Sequence, residues 1–262
     1  MKKLLALILA SLLLVSLVAC NKNKEAENEG PQDTDSVASN ELVYENFKYA
    51  VNEAGMYEIT GYIHSGTDFV KLEVPASIEG RPVTGIGEEA FKAAMYLTGI
   101  TLPSSITYID DYAFAKCDYL TEITLPNSLV TIGKGAFEGC TTLASVTNSS
   151  ELVTIGEAAF KDCVVLANVT LPAKLETISA MAFYNCDALT AITVPASVKT
   201  IGDAAFYECN ALSTITVSAS TTTFGATIFL NNGAELTVNT PTDSAFAKYL
   251  TEHNYKFVIP VE

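Results

Sequence analysis

Two histidines, His64 and His253, are the only imidazoles in this 262-residue chain, which has no tryptophan. A histidine general base therefore has two candidates, and a histidine-rich metal site is excluded. Serine and aspartate are plentiful, but no G-x-S-x-G nucleophile elbow, phosphate-cradling G-x-x-x-x-G-K-[ST] loop or H-E-x-x-H zinc motif occurs. No catalytic residue and no cofactor are therefore expected. Aspartate and glutamate total 30 against 15 lysine and arginine, a formal charge of −15. Binding to nucleic acid needs a basic surface, so that class of partner is excluded.

Cysteine is the next residue type with chemistry to offer. Cys20 stands alone, and Cys117, Cys140, Cys163, Cys186 and Cys209 follow at a constant spacing of 23. Equal spacing in stacked coils puts equivalent side chains about 4.8 Å apart and parallel. A disulfide wants Cβ atoms about 3.8 Å apart and converging. Tetrahedral metal ligands must also converge. The spacing thus predicts a structural ladder of buried free thiols behaving as small hydrophobes, with no metal.

The elements behind this spacing repeat with it. Ala-Phe recurs at 90–91, 113–114, 136–137, 159–160, 182–183 and 205–206. Leucine recurs at 97, 120, 143, 166, 189 and 212, and a branched residue at 100, 123, 146, 169, 192 and 215. Pro103, Pro126, Pro172 and Pro195 open units, Ser149 replaces one of them, and Pro75 lies five residues further off than the period predicts. One coil has apolar residues on every side, so it cannot bury them alone, whereas stacked coils can. Leu120-x-x-Ile123-x-Leu125 predicts a short parallel strand with Glu122 and Thr124 outward. A-F-x-x-C predicts one helical turn, N-capped by the column Gly87, Asp110, Gly133, Gly156, Ser179 and Gly202. The acids that follow, Glu88, Asp111, Glu157 and Asp203, suit a helix start.

Both ends of such an array need covering. Residues 41–74 predict N-terminal strands around the turn Asn52–Gly55. Residues 75–217 are the repeats. Residues 218–262 hold a decayed unit in which Ile228-Phe229 keep the phase, then a helix capped by Thr242 and stopped by Asn254, with Phe246, Tyr249 and Leu250 inward, and a last strand over 255–261.

Several outward columns are candidate ligand positions. Thr101, Thr124, Thr147, Thr170, Thr193 and Thr216 form one, which also serves as a β-branched ladder stabilising the sheet. Beside it run Gly99, Glu122, Ser145, Asn168, Ala191 and Thr214. Tyr96 and Tyr119 share a column, as do Tyr184 and Tyr207, and stacking along the coils explains such pairs almost as well as ligand contact. The candidate ligand face is therefore Glu122, Thr124, Ser145, Thr147, Asn168, Thr170, Tyr96 and Tyr119. The acidic residues read as a solvated surface rather than a calcium column.

The first residues predict export. Met1-Lys2-Lys3 is basic, and residues 4–19 are uninterruptedly apolar but short for a membrane span. Leu17-Val18-Ala19-Cys20 resembles the bacterial lipobox, which implies a signal peptide over 1–19, cleavage before Cys20 and lipid on its sulfur. Residues 20–40 then read as a lipidated cysteine and disordered tether, since 21–40 hold no aromatic residue and one branched aliphatic, Val37.

The unit L-P-x-S-[IVL]-x-x-I-G-x-x-A-F-x-x-C-x-x-L-x-x-I-T, nearly intact in residues 125–147, closely resembles the BspA-type leucine-rich repeat family. The resemblance implies an α/β solenoid, right-handed, of about six leucine-rich repeats with short parallel strands. It also implies a bacterial surface lipoprotein, held by a membrane lipid anchor outside the cytoplasm, that binds host matrix or bacterial surface proteins in adhesion without chemistry. An envelope scaffold or a glycan-presenting accessory lipoprotein is the alternative, with glycan as a further partner.

Overall fold

The computed structural model describes residues 42–147, 149–230, 232 and 236–258. The signal peptide, Cys20 and tether expected over 1–40 lie outside the described residues. The remainder is a parallel β-solenoid of about nine turns with little helix.

Each coil carries the expected strand. Glu122–Thr124 lies parallel to Leu97–Thr101 on one side and Ser145–Thr147 on the other, so Gly99, Glu122 and Ser145 align, as do Ile100, Ile123 and Val146. Ile123 is buried between exposed Glu122 and Thr124, because alternate side chains leave a strand on opposite faces. Val70–Glu73 and Asn168–Val169 complete a five-stranded sheet. Ala191–Val194, Thr214–Val217, Leu236–Asn239 and Phe257–Val258 form a separate four-stranded one, so the ladder breaks between residues 169 and 191.

A second strand in every coil was not anticipated. Tyr108–Ile109, Thr131–Ile132, Thr154–Ile155, Thr177–Ile178, Thr200–Ile201 and Thr223–Phe224 pair in parallel register within an eleven-stranded sheet. Two residues are too few to display alternation, so the sequence carries no period signal here.

The A-F-x-x-C segment is not a helical turn. Tyr112 and Lys116 have φ of 55° and 60°, and their equivalents Ala158 and Asp162, Met181 and Asn185, and Ala204 and Glu208 are left-handed too. This alternation turns every second N–H toward the next coil. The N–H groups of Tyr112, Phe114 and Lys116 donate to the carbonyls of Lys134, Ala136 and Glu138 at 2.7–2.8 Å, while those of Ala113, Ala115 and Cys117 close local turns. A helix would satisfy its N–H groups internally and could not join coil to coil. The turn is thus a third hydrogen-bonded ladder.

The glycine column has a different cause from capping. A Cβ on Gly156 would lie 2.5 Å from the carbonyl carbon of Gly133. The backbones of successive coils touch there. The acids beside it also serve the next coil: Asp111 Oδ1 accepts from Lys134 N–H at 2.6 Å, and Asp203 Oδ1 from Ala226 N–H at 2.7 Å.

The core is one continuous cluster. Phe91, Phe114, Phe137, Phe160, Phe183, Phe206 and Phe229 stack with centroids 5.2–5.8 Å apart and planes within 6°. Phe229 extends the stack beyond the six clear repeats. At the N-terminal side Phe47–Val51 and Tyr57–Tyr62 pair antiparallel about a turn in which Gly55 N–H donates to Asn52 O. Leu42–Tyr44 adds a further strand at that edge. At the other side the helix Ala245–Glu252 buries Phe246, Ala247, Tyr249 and Leu250. Its N-cap is Ser244, not Thr242: Ser244 Oγ accepts from Ala247 N–H at 3.1 Å, the reach a capping hydroxyl needs. Asn254, at φ 56°, follows the helix end.

Candidate binding face

The five-stranded sheet positions the outward side chains. Glu122, Ser145 and Asn168 stand in one register row, and Thr124 and Thr147 in the next, all exposed. Thr170 is exposed just past the strand Asn168–Val169. None of these six side chains hydrogen-bonds to another described residue. Their freedom follows from side chains that point away from the core.

Polar groups elsewhere are committed to holding coils together. Lys161 pairs with Glu138 at 2.8 Å, Lys134 with Glu157 at 3.1 Å, and Lys174 with Glu151 at 2.5 Å, each one coil apart. Asn185 donates to Asp162 at 2.9 Å and Asn210 to Asp187 at 2.6 Å in the same way. The acidic surplus is thus partly absorbed by inter-coil pairing, a use visible as charge alternation at the repeat spacing.

The two tyrosines of the expected face part company. Tyr96 is half-buried and stacks on His64 with centroids 4.2 Å apart. Tyr119 is 43% exposed and meets Phe69, itself 58% exposed, at 4.7 Å. Sequence reasoning missed Phe69, which lies before the first clear repeat and outside the period. Tyr184 and Tyr207 stack along the coils at 4.9 Å, as their shared column implied.

His253 Nδ1 lies 2.9 Å from Tyr249 O at the helix C-terminus, and His64 packs on Tyr96. Neither histidine is paired with a described serine, cysteine or carboxylate. Cys117, Cys140, Cys163, Cys186 and Cys209 are buried and unbridged. They do more than fill space: each thiol donates to the carbonyl of the phenylalanine 26 residues earlier at 3.0–3.2 Å, as Cys140 does to Phe114 O. Burial pushes the Cys209 thiol up to about 12 and raises those of Cys163 and Cys186. Among the described residues no cluster of histidine, cysteine, aspartate or glutamate is placed to hold a metal ion. Nor is any described helix long and apolar enough to cross a membrane.

A family model described as a BspA type leucine rich repeat region matches the chain in six copies, over residues 57–186 and 131–250. No curated protein matches. Among solved structures, a leucine-rich repeat protein of T. pallidum is 27% identical with a TM-score of 0.69, covering 85% of this chain and 100% of that one. A leucine-rich repeat protein from Bacteroides ovatus shares the fold at 22% identity and a TM-score of 0.50, covering 76% of this chain and 71% of its own. Repeat period, coil geometry and these matches agree, and the chain belongs to the BspA-type leucine-rich repeat family.

Proposed function

We propose that this chain is a non-enzymatic, surface-exposed lipoprotein that binds protein through the outward face of its five-stranded sheet, in adhesion to host or bacterial proteins. One observation carries the reading. The side chains of Glu122, Thr124, Ser145, Thr147, Asn168 and Thr170 are exposed yet form no hydrogen bond to another described residue, whereas polar groups on the turns are used to join coils. A solvated array with unspent donors and acceptors suits multipoint protein contact. The family match supports a protein-interaction module. Export and a lipid on Cys20 are supported by the basic start, the apolar run 4–19 and the lipobox-like Leu17–Cys20.

The test is capture on the chain immobilised through its N-terminal side. Purified matrix proteins, and envelope extract from the producing cell, are passed over it at physiological salt. Saturable binding to a matrix protein is expected, weakened about tenfold or more in Kd by Ser145→Lys with Asn168→Lys. Unchanged binding by that variant would remove the sheet face from consideration. Capture solely from the producer's own extract would favour the envelope scaffold. Lipidation is read by intact mass: Cys20→Ala should yield the uncleaved, unacylated precursor, which lacks the lipid but is heavier by residues 1–19.

A further inference from the structure

We propose that the aromatic corner formed by Phe69 and Tyr119 receives arginine side chains of a basic polypeptide partner. This rests on the reading that the sheet face binds protein, and adds the place of contact and the partner's chemistry.

Every other stacked ring column of the repeats runs along the solenoid, ring on ring at coil spacing. Tyr119 breaks that rule. Its column neighbour Tyr96 is turned onto His64, and Tyr119 leans instead against Phe69 with the two planes inclined by 49°. Phe69 arrives at the start of Val70–Glu73, held where Val70 N–H donates to Tyr96 O at 2.8 Å. The result is an open aromatic angle on the surface. Leaving two large rings in water forfeits burial that the fold obtains for its other phenylalanines of the stack.

Acids neighbour both rings along the chain: Asp68 precedes Phe69, Asp118, which accepts from Thr141 Oγ1 at 3.4 Å, precedes Tyr119, and Glu122 begins the strand that follows. Asp68 and Glu122 have no ion pair among the described residues, unlike Glu138, Glu151 and Glu157, which each pair with a lysine of an adjacent coil. Lys71 is the basic residue of the same strand face, its stem lying across Gly99, where an added Cβ would meet Lys71 Cγ at 3.4 Å. Exposed rings whose chain neighbours include the unpaired acids Asp68 and Glu122 match a guanidinium, which stacks on an aromatic face while its edge donates two hydrogen bonds to a carboxylate. The net charge of −15 steers basic partners toward the chain as a whole. A neutral glycan would use the ring faces and could donate its hydroxyls to these acids, but it gains nothing from their charge, so salt dependence separates the two ligands.

The experiment uses the full chain and a fluorescent alternating glycine–arginine peptide, followed by anisotropy at low and high salt. Glycine–lysine and glycine–glutamate peptides and a neutral cello-oligosaccharide are the comparison probes. The arginine peptide is expected to bind, roughly threefold or more tightly than the lysine peptide because of ring stacking. Phe69→Ala and Tyr119→Ala should each weaken it about tenfold, and Tyr119→Phe should restore it. Asp68→Asn with Glu122→Gln should flatten the salt dependence with the rings intact. Both rings are exposed, so thermal melting should be nearly unchanged; if Tyr119→Ala melts early, Phe69→Leu and the charge variant carry the test. Equal binding by Phe69→Ala and Tyr119→Ala, no preference for arginine over lysine, or binding of the oligosaccharide alone would overturn the proposal. If a matrix protein is captured and lost on Ser145→Lys with Asn168→Lys, yet held by both ring variants, protein binding stands and this assignment fails. If none is captured but the arginine peptide binds through the rings, this assignment stands without that reading.

Discussion

At the scale of the residue, burial and a single hydrogen bond decide behaviour. Each repeat thiol sits in the core and donates to a phenylalanine carbonyl of another coil, and desolvation disfavours the thiolates of Cys163, Cys186 and Cys209. The five repeat thiols should resist iodoacetamide in native buffer and all react in guanidinium, as counted by intact mass; alkylation of the native protein would place them nearer solvent than the structure does. Tyr108 offers a pH test. Its hydroxyl donates to Glu58 at 2.6 Å and accepts from Asn52 Nδ2 at 3.0 Å, while its ring lies against Gly85, where a Cβ would be 2.0 Å from it. Burial first, then the Glu58 carboxylate, push its hydroxyl up to about 12. The folded state therefore holds this proton more tightly than the unfolded chain, whose tyrosine titrates at about 10. Its contribution is complete below about pH 10 and is lost as pH rises through the folded value. Tyr108→Phe should cost about 1 kcal/mol at neutral pH and reduce the fall in stability above pH ~10, measured by urea melts.

At the scale of the element, the turn ladder is the feature that departs most from a helix. Left-handed residues other than glycine strain the backbone, and the ladder's coil-to-coil hydrogen bonds offset that strain. Lys116, exposed and at φ 60°, takes part through its backbone N–H alone. Lys116→Gly should therefore raise stability by up to about 1 kcal/mol, relieving left-handed strain of about 1–2 kcal/mol against a chain-entropy cost of about 0.5–1. Were this segment a helix, the same change would destabilise, so chemical denaturation distinguishes the two by sign. The neighbouring glycine column behaves oppositely. Gly156→Ala should cost about 1–3 kcal/mol, because the methyl group would drive apart backbones that touch.

At the scale of the whole molecule, the coils form a one-dimensional stack held by three ladders and a phenylalanine column. Energy in such an array is shared between neighbours rather than across the whole. Phe137→Ala should cost about 3–5 kcal/mol by leaving a cavity between two rings. Hydrogen exchange should then quicken most in the coils of Phe114 and Phe160, with the effect declining toward the Phe47–Val51 strand and the Ala245–Glu252 helix. A uniform loss of protection would show a single cooperative block instead.

The period, the family and the inner and outer columns are legible from residue order alone, because a 23-residue register repeats one burial pattern in every coil. The burial of Phe114, Cys117, Leu120 and Ile123 and the exposure of Glu122 and Thr124 were legible for that reason, as were the inward residues of the C-terminal helix, Phe246, Tyr249 and Leu250. Tertiary structure decided what depends on the next coil. Local propensity at A-F-x-x-C favours a helical turn, but donating N–H groups to a neighbour 22 residues on requires left-handed residues, and nothing local announces that partner. The Thr-Ile strands were hidden by being two residues long, and Ser244 took the cap because the helix starts where its apolar face meets Phe229 and Phe224. The candidate face was legible as a set of columns. Its limits were not: only the folded chain separates the free row Glu122–Ser145–Asn168 from polar groups spent between coils, turns Tyr96 inward onto His64, and brings Phe69 from outside the period to Tyr119.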